Sequence, residues 1–318
     1  MRRNTRCFSL GEVNIGSDHP ISVQSMTKTD TRDIDKTVEQ INELEMAGCD
    51  IIRCAVPNID AAKSLKDIIL KTKLPIVADI HFEYRLALEA IKSGVHGLRI
   101  NPGNIGQKKR IISVVQSAKD SNIPIRIGVN SGSLEKDLLE KYGYPSADAL
   151  VESAERHLSI LDELDFKNVK VSVKSSNVNI MIDAYRKLAK KTDVPFHLGV
   201  TESGTYEIGS VKSSIGIGSL ISEGIGDTIR VSLTDDPIKE VKMGKNILKA
   251  LGHFENGIEL ITCPGCGRLE IDLQSLVEDV EKRIEKIKIK KTLKVSILGC
   301  VVNGPGEALG SDIGIAGG

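Results

Sequence analysis

Tryptophan is absent from the 318 residues of this chain, and all aromatic residues together make up only 3% of it. Stacking platforms for single-stranded nucleic acid are therefore scarce. The 43 basic residues are balanced by 43 acidic ones, so the formal net charge is zero and no overall positive field would attract nucleic acid. We therefore expect no nucleic-acid partner.

Long hydrophobic runs are also missing, since no stretch approaches the ~20 apolar residues that span a bilayer. The basic N-terminal residues 1–6 are not followed by the apolar segment of a signal peptide. Six cysteines are too few for a disulfide-stabilised scaffold, and a reducing compartment would keep them as thiols. These features predict a cytoplasmic protein with no membrane partner.

The first three quarters of the chain repeat one unit, in which a short β-branched segment and a polar loop precede a stretch of helical periodicity. In the first helical stretch Ile34, Val38, Ile41 and Leu44 share one face, and Gly48 follows as a stop signal. Eight segments are predicted to be strands: 21–26, 51–56, 75–80, 96–101, 124–130, 168–175, 195–201 and 227–233.

Eight strands alternating with helices over about 250 residues predict a (β/α)8 TIM barrel, whose active site lies at the carboxyl ends of the strands. We assign residues 1–250 to it, with the last helix at roughly 237–250. An open doubly wound sheet is the competing layout. No G-x-G-x-x-G follows an early strand, so a dinucleotide site has no support.

A second module begins near residue 258, with predicted strands at 258–262 and 293–298 around a predicted helix at 270–288. Residues 258–318 would form a small α+β domain of about 60 residues, which is marginal in stability by itself. A bound metal centre would help to stabilise it.

Three of the cysteines lie in this module, as Cys263-Pro264-Gly265-Cys266 and, after the next strand, Cys300. A Cys-x-x-Cys loop lets two thiolates converge on one centre, and the third cysteine can complete one face of an iron–sulfur cluster. A cubane cluster needs a fourth ligand, and Glu307 on the same Gly/Pro-rich segment as Cys300 is the carboxylate candidate. A structural zinc site with three cysteines and one other ligand is the alternative.

Five of the eight predicted strands contain a cation among β-branched residues: Arg53, Arg99, Arg126, Lys174 and Arg230. A single such cation usually extends to solvent or pairs with a carboxylate. Unpaired cations are costly to bury, so five together predict a cavity that receives an anion of several charges. A phosphate or diphosphate fits best, because arginine binds such oxygens in a bidentate manner.

Polar side chains accumulate at the predicted carboxyl ends of the same strands, where barrel enzymes carry their chemistry. A single histidine at such a position is more often structural than catalytic. We therefore interpret these polar residues together and not one by one. They are Asp79, His81, Asn101, Asn130, Ser131, Ser175, Ser176, His197, Thr201 and Glu202.

With these residues assembled, nearly the whole chain resembles the bacterial 4-hydroxy-3-methylbut-2-enyl diphosphate synthase family. Eight segments carry the resemblance: P-I-S-V-Q-S-M-T at 20–27, V-A-D-I-H-F at 77–82, L-R-I-N-P-G-N-I-G at 98–106, R-I-G-V-N-S-G-S-L at 126–134, V-K-S-S-N at 173–177, H-L-G-V-T-E-S-G at 197–204, C-P-G-C-G-R at 263–268 and C-V-V-N-G-P-G-E-A at 300–308.

The resemblance implies a TIM barrel joined to a small iron–sulfur domain, in a head-to-tail homodimer in which the barrel of one subunit faces the cluster of the other. It also implies an oxidoreductase of the methylerythritol phosphate route to isoprenoids. Such an enzyme opens 2-C-methyl-D-erythritol 2,4-cyclodiphosphate reductively and expels water, which gives 4-hydroxy-3-methylbut-2-enyl diphosphate. Two electrons would come singly from reduced flavodoxin or ferredoxin.

Roles carried over to matching positions make Cys263, Cys266, Cys300 and Glu307 the ligands of a [4Fe–4S] cluster. The family's diphosphate-binding residues correspond to Arg53, Arg99, Arg126, Asn130 and Lys174. Glu202 would handle a proton near the substrate carbons. Asp79 and His81 are added as catalytic candidates, and Asn101, His197 and Arg230 as substrate-binding candidates.

The chain departs from the family pattern at three places. It stops at residue 318 where the family normally continues, so we expect the small domain to be cut short. Thr262 stands where the family commonly has Ser, and Cys54 where it usually has Val. Two other functions compete with the leading one: a non-redox iron–sulfur dehydratase acting on a phosphorylated substrate, and a zinc-stabilised module on a phosphate-binding barrel similar to dihydropteroate synthases.

Overall fold

The computed structural model describes residues 2–106, 108–253, 257–269, 271–284, 287, 289, 291–302 and 304–317. The chain divides into two units, Met1–Leu251 and Gly252–Gly318. The first unit contains a hairpin and a parallel barrel. Its strands are β1 (Phe8–Leu10), β2 (Val13–Ile15), β3 (Ser22–Met26), β4 (Ile51–Ala55), β5 (Ile76–Asp79), β6 (Gly97–Ile100), β7 (Ile125–Asn130), β8 (Val169–Lys174), β9 (His197–Leu198) and β10 (Thr228–Ile229).

Strands β3 to β10 form one parallel sheet in the order β8-β7-β6-β5-β4-β3-β10-β9. A parallel bridge between Val171 of β8 and Phe196, just before β9, joins the two ends of this sheet. The predicted TIM barrel and all eight of its strands are therefore confirmed. The last two strands are only two residues long, shorter than the predicted 195–201 and 227–233.

Helices follow each barrel strand and form the outer layer that parallel strands require on their exposed face. Asp33 and Asn58 begin the first two helices by accepting hydrogen bonds from the backbone N–H groups of Lys36 and Ala61. Gly48, at φ +90°, follows the end of the first helix, as predicted. The helices are α1 (Ile34–Met46), α2 (Ile59–Lys71), α3 (Tyr84–Lys92), α4 (Pro102–Ile105), α5 (Lys108–Asp120), α6 (Lys136–Tyr142), α7 (Ala147–Glu163), α8 (Val178–Ala189), α9 (Tyr206–Ser222) and α10 (Pro237–Ala250), with a 3₁₀ turn at Ser131–Ser133.

The hairpin β1–β2 was not predicted from the sequence. Leu10 and Ile15 are buried in a separate apolar cluster with Ile51 and Val77, which lie at the amino ends of barrel strands. Gly11 makes the turn at φ +58°, and a Cβ atom there would lie 2.9 Å from Cβ of Pro75. The hairpin therefore covers the end of the barrel opposite to the carboxyl ends of the strands.

The second unit is a three-stranded parallel sheet with two helices. Its elements are β11 (Gly257–Thr262), α11 (Leu273–Ile284), β12 (Thr292–Leu298), α12 (Gly304–Ala308) and β13 (Ile313–Ala316), with β12 in the centre. The two predicted strands and the intervening helix are present. Of the predicted helix 270–288, residues 270, 285, 286 and 288 lie outside the described residues. The structure adds β13, which was not predicted. None of the helices in the described ranges has the length and apolarity needed to cross a bilayer.

Candidate active site

A cavity of about 290 Å³ opens at the carboxyl ends of the barrel strands. Every barrel strand or the loop directly after it contributes to its wall, which is the location expected for a TIM-barrel active site. The lining residues are Met26, Arg53, Asp79, His81, Arg99, Arg126, Asn130, Ser172, Lys174, Thr201, Arg230 and Ser232. The five cations that were predicted from the sequence to share one cavity are all among them.

The alternation of side chains along each strand explains why these cations point inward. Strand β7 shows it clearly, since Arg126 and Asn130 face the cavity while Ile125 and Ile127 are buried in the core that packs against the helices. Arg99 on β6 lies directly opposite Arg126 in the ladder, so two guanidinium groups share one layer of the barrel. Such a layer of like charges is stable only with compensating anions.

Asp79, at the end of β5, places a carboxylate among the cations that line the cavity. Its carboxylate lies 3.8 Å from Nε of Arg53, 3.4 Å from Nη1 of Arg99 and 3.2 Å from Nε2 of His81. Burial by itself would raise the pKa of this carboxyl group. The charge of Arg53, the hydrogen bond from His81 and the charge of Arg99 outweigh burial and hold that pKa far below its usual range. Asp79 is therefore a permanent negative charge between two arginines.

Arg126 lacks such a partner. It is only 2% exposed, and its Nε and Nη1 atoms have no hydrogen-bond partner among the described residues. Burial, followed by the charges of Arg53 and Arg99, lowers the pKa of its guanidinium well below the usual value. A buried guanidinium with open donors is costly unless a ligand satisfies it. Arg126 is the strongest single indication that the cavity binds an anion.

The charges around the cavity do not balance. Arg53, Arg99, Arg126, Lys174 and Arg230 stand against Asp79 and a second buried carboxylate, Glu240 of α10. An oxygen of Glu240 lies 3.6 Å from Nη2 of Arg230. When all of these groups are ionised, five positive charges against two negative ones leave an excess of three. An anion with two or three negative charges would neutralise it.

Two glycines make room for the cations. A Cβ atom on Gly128 of β7 would lie 2.5 Å from Nε of Arg99. A Cβ atom on Gly199, directly after β9, would lie 2.6 Å from Nζ of Lys174. Both distances are shorter than any van der Waals contact, so a side chain at either glycine would displace the neighbouring cation. At Gly199 a Cβ atom would also clash with the backbone carbonyl oxygen of Arg230.

Asn130 and His81 complete the polar wall. The side-chain amide of Asn130 is oriented so that its oxygen accepts a hydrogen bond from Nη2 of Arg99 (3.1 Å). Its nitrogen then donates to the backbone carbonyl of Val129 (3.1 Å). The His81 ring is half exposed at the cavity mouth, within 3.4 Å of Nη1 of Arg99. Both side chains can therefore contact a bound molecule as well as orient Arg99.

Three of the predicted catalytic and substrate-binding residues do not line the cavity, and neither do Ser131, Ser175 and Ser176 of the predicted strand ends. Asn101 is buried, and its Oδ1 accepts a hydrogen bond from the N–H of Gly103 (3.1 Å), at the start of α4. His197 is fully buried, with Nδ1 2.7 Å from Oγ1 of Thr228. Burial and nearby cations lower the pKa of His197 well below its usual value, so its ring is neutral. Glu202 is exposed on the loop after β9, in a left-handed backbone conformation at φ +47°.

Four inward-facing residues were not predicted from the sequence. Met26 Sδ accepts from Nη2 of Arg53 (2.9 Å), and Ser172 and Ser232 line the cavity. Lys170 of β8 is buried deeper in the barrel. The signal was available in the strand alternation, since Lys170 and Ser172 precede Lys174 by four and two residues, and Ser232 follows Arg230 by two.

In the second unit, the cysteines follow neighbouring parallel strands at the same edge of the sheet. Cys263 comes directly after β11, and Cys300 lies two residues beyond the end of β12. The N–H of Gly299 donates to Sγ of Cys263 (3.4 Å), which is the kind of contact that tunes cluster sulfurs. Cys266 is exposed, and Glu307 is exposed on α12. This donor set suits an iron–sulfur cluster at the edge of the sheet.

The side chains do not converge in this conformation. Within the described ranges, no three His, Cys, Asp or Glu side chains stand close enough together to hold a metal ion. The three thiols would have to turn toward one centre for a cluster to assemble. They lie on loops, where such a reorientation costs little packing energy.

Two family models match the chain. The GcpE TIM-barrel domain covers residues 5–245, and the GcpE protein C-terminal domain covers residues 259–318. Each model coincides with one of the two units of the structure.

Curated relatives match over the whole chain. One from Clostridium acetobutylicum is 61% identical over 317 residues, which are 100% of this chain and 90% of that protein. Another, from Thermodesulfovibrio yellowstonii, is 56% identical with the same coverage. Both are named 4-hydroxy-3-methylbut-2-en-1-yl diphosphate synthase (flavodoxin).

Solved structures share the fold at low identity. N-acetylneuraminic acid synthetase from Leptospira borgpetersenii superposes with a TM-score of 0.55 at 16% identity, covering 89% of this chain and 98% of the other. Dihydropteroate synthase from Yersinia pestis has a TM-score of 0.54 at 10% identity, covering 77% and 97%. At these identities the likeness shows the barrel fold alone.

Proposed function

The chain belongs to the GcpE family, and from this membership we propose that it is a flavodoxin-dependent 4-hydroxy-3-methylbut-2-en-1-yl diphosphate synthase. It opens the ring of 2-C-methyl-D-erythritol 2,4-cyclodiphosphate reductively and releases water. Full-length identity of 61% to a relative of that name supports the activity. The same identity disfavours the dehydratase and zinc alternatives, because it extends over both units of the chain.

The barrel cavity binds the cyclic diphosphate. The observation that carries this assignment is the buried guanidinium of Arg126 beside Arg99, whose Nε and Nη1 atoms have no hydrogen-bond partner among the described residues, in a wall where basic side chains outnumber carboxylates. Diphosphate oxygens would satisfy the open donors of Arg126 and neutralise the excess charge. The same anion is surrounded by three further cations, Arg53, Lys174 and Arg230. Arg99 is oriented toward it by Asn130 and His81.

Members of this family are iron–sulfur enzymes, and we assign the cluster to the second unit as [4Fe–4S]. Cys263, Cys266 and Cys300 supply three thiolates, and Glu307 supplies the fourth ligand. A cluster held by these residues would supply one-electron transfer between reduced flavodoxin, or ferredoxin, and the substrate. The N–H of Gly299 stabilises negative charge on the Cys263 sulfur.

Proton handling falls to side chains at the barrel mouth. The left-handed backbone of Glu202 is a conformation that non-glycine residues adopt at a cost of about 1–3 kcal/mol, mainly where function requires it. Glu202 is therefore the candidate that handles a proton near the substrate carbons. Asp79 remains ionised and holds His81 and the two arginines in place rather than carrying a proton itself.

Metal analysis with a turnover assay tests the proposal. Anaerobically purified protein should contain about four irons and four sulfides per chain, and with reduced flavodoxin it should convert the cyclic diphosphate to a linear one. Cys263→Ser should lose iron and activity, while Cys54→Ala, at a buried barrel thiol, should keep both. Zinc without sulfide, or an iron-loaded protein that leaves the cyclic diphosphate unchanged, would overturn the assignment.

A further inference from the structure

Lys170 is a basic residue buried inside the barrel, and none of the ion pairs among the described residues includes it. It precedes Lys174 by four residues on β8, and it lies directly opposite Arg126 in the ladder with β7. Ser172 and Lys174, two and four residues further along, line the cavity. The alternation of β8 therefore directs Lys170 into the barrel interior, on the same side of the strand as Ser172 and Lys174 but nearer the amino end of the strand.

The amine of Lys170 is isolated. The side chain is only 2% exposed, and Nζ has no hydrogen-bond partner among the described residues. The nearest charges are those of Arg126, which repels an ammonium, and Asp227. The Asp227 carboxylate is already occupied by Nη2 of Arg2 (3.0 Å) and the N–H of Phe196 (2.8 Å).

The other groups around Lys170 offer no compensation. His197 on β9 is neutral, and its Nε2 also lacks a partner among the described residues. Lys174, on the same strand and nearer the cavity, is a second basic group and supplies no negative charge. An ammonium ion buried without a counter-charge is so costly that the group loses its proton instead.

We propose that Lys170 is a neutral amine in the ligand-free barrel and becomes an ammonium when a diphosphate binds above it. This inference rests on the proposed function. The proton comes from solvent, the amine nitrogen accepts it, and no other bond changes. Lys170 is thus a positioning residue, whose new charge attracts the anion from beside Arg126 without touching the anion.

The direction of the effect follows from the electrostatics. Burial, and then the charge of Arg126, lowers the pKa of Lys170 to about 7, against the opposing attraction of Asp227. At pH 8 about one molecule in ten carries the ammonium. A diphosphate brings negative charge into the cavity and raises this pKa, so binding at pH 8 draws in a proton. Burial also lowers the pKa of Lys174, so an anion in the cavity should raise that pKa too. Lys174 is present in wild type and in both variants compared below, so it does not by itself distinguish them.

Calorimetry with inorganic pyrophosphate measures this proton uptake. The holoenzyme is titrated anaerobically at pH 8 in two buffers of different ionisation enthalpy, and the dependence of the heat on the buffer counts the protons. Wild type should take up more protons than Lys170→Met, with an upper limit of about 0.9 proton per site for complete protonation of Lys170 in the complex. Lys242→Met, at an exposed position on α10, should match wild type.

The two possible failures are distinguishable. Equal proton uptake by wild type and Lys170→Met would overturn the inference and leave the anion site in place. Failure of pyrophosphate to bind wild type would overturn the anion site itself.

Thermal melting provides a readout that needs no ligand. Between pH 7 and pH 10 the unfolded chain holds a proton on Lys170 that the folded chain lacks, so wild-type stability should rise with pH. Lys170→Met removes the buried amine, and replacing a buried charge by an apolar side chain of similar size is often stabilising. The variant should therefore melt above wild type at pH 6, and the gap should shrink toward pH 9.5. A gap that is independent of pH would overturn the inference even if the variant bound no pyrophosphate.

Discussion

The guanidinium of Arg99 packs against Gly128 of the neighbouring strand β7, and a Cβ atom at Gly128 would lie 2.5 Å from Nε of Arg99. Arg99 reaches this position from β6, and from there it contacts Asp79, His81 and Asn130. The bare backbone of one strand thus sets the position of the cation on the next. The charge pattern of the sequence does not reveal this contact. A single methyl group added at Gly128 would displace Arg99 and so disturb the anion site.

Gly128→Ala should weaken pyrophosphate binding by at least about tenfold, because a hydrogen bond to a charged group is worth about 1.5–3 kcal/mol and Arg99 would be displaced. Calorimetry measures the dissociation constant, and the iron content of the second unit should not change. Gly132→Ala is the matched control, since nothing lies within 4 Å of a Cβ atom there. Equal affinity in the two variants would show that Arg99 does not hold the anion.

Glu202→Gln should lower kcat by a factor of about a hundred or more, as expected when a general acid or base is removed. KM for the cyclic diphosphate should change little, because Glu202 does not line the cavity that binds it. Iron and sulfide content should match wild type. Glu207→Gln, on an exposed site in the first turn of α9, provides the control. Wild-type turnover in Glu202→Gln would remove the proposed role of this carboxylate.

Co-expression of two inactive variants tests whether the chain forms the head-to-tail homodimer that the family resemblance implies. Arg126→Met damages the barrel and Cys263→Ser damages the cluster domain. If each active site combines the barrel of one subunit with the cluster of the other, half of the dimers will carry one intact site of two, which restores about a quarter of wild-type activity. Cys263→Ser co-expressed with Cys266→Ser should restore nothing, since both changes lie in the same domain. No gain from the first pair would contradict the arrangement.

Much of the barrel was predictable because its signals are local. Short β-branched segments and helical periodicity located all eight strands and the helices between them. The hairpin β1–β2 was missed since three-residue strands carry too little periodicity to detect. The strand β13 was missed for the same reason.

The five cations were identified from the sequence because a charge inside a β-branched strand is unusual wherever it occurs. Their shared cavity also followed from the sequence, since parallel strands in a barrel bring their carboxyl ends together. Asn101 and His197 satisfied the same pattern, yet they form internal hydrogen bonds with Gly103 and Thr228 instead of lining the cavity.

By itself, the sequence determined the fold class, the positive charge of the site and the three cysteines of the second unit. Tertiary structure alone decided which charges are compensated. Asp79 reaches Arg99 across 20 residues of sequence, and Glu240 comes from α10 to meet Arg230, while Arg126 and Lys170 are left without a partner among the described residues. The reason is physical. Charge compensation depends on distances of a few ångströms and on burial, and both are set by the closure of the barrel rather than by spacing along the chain.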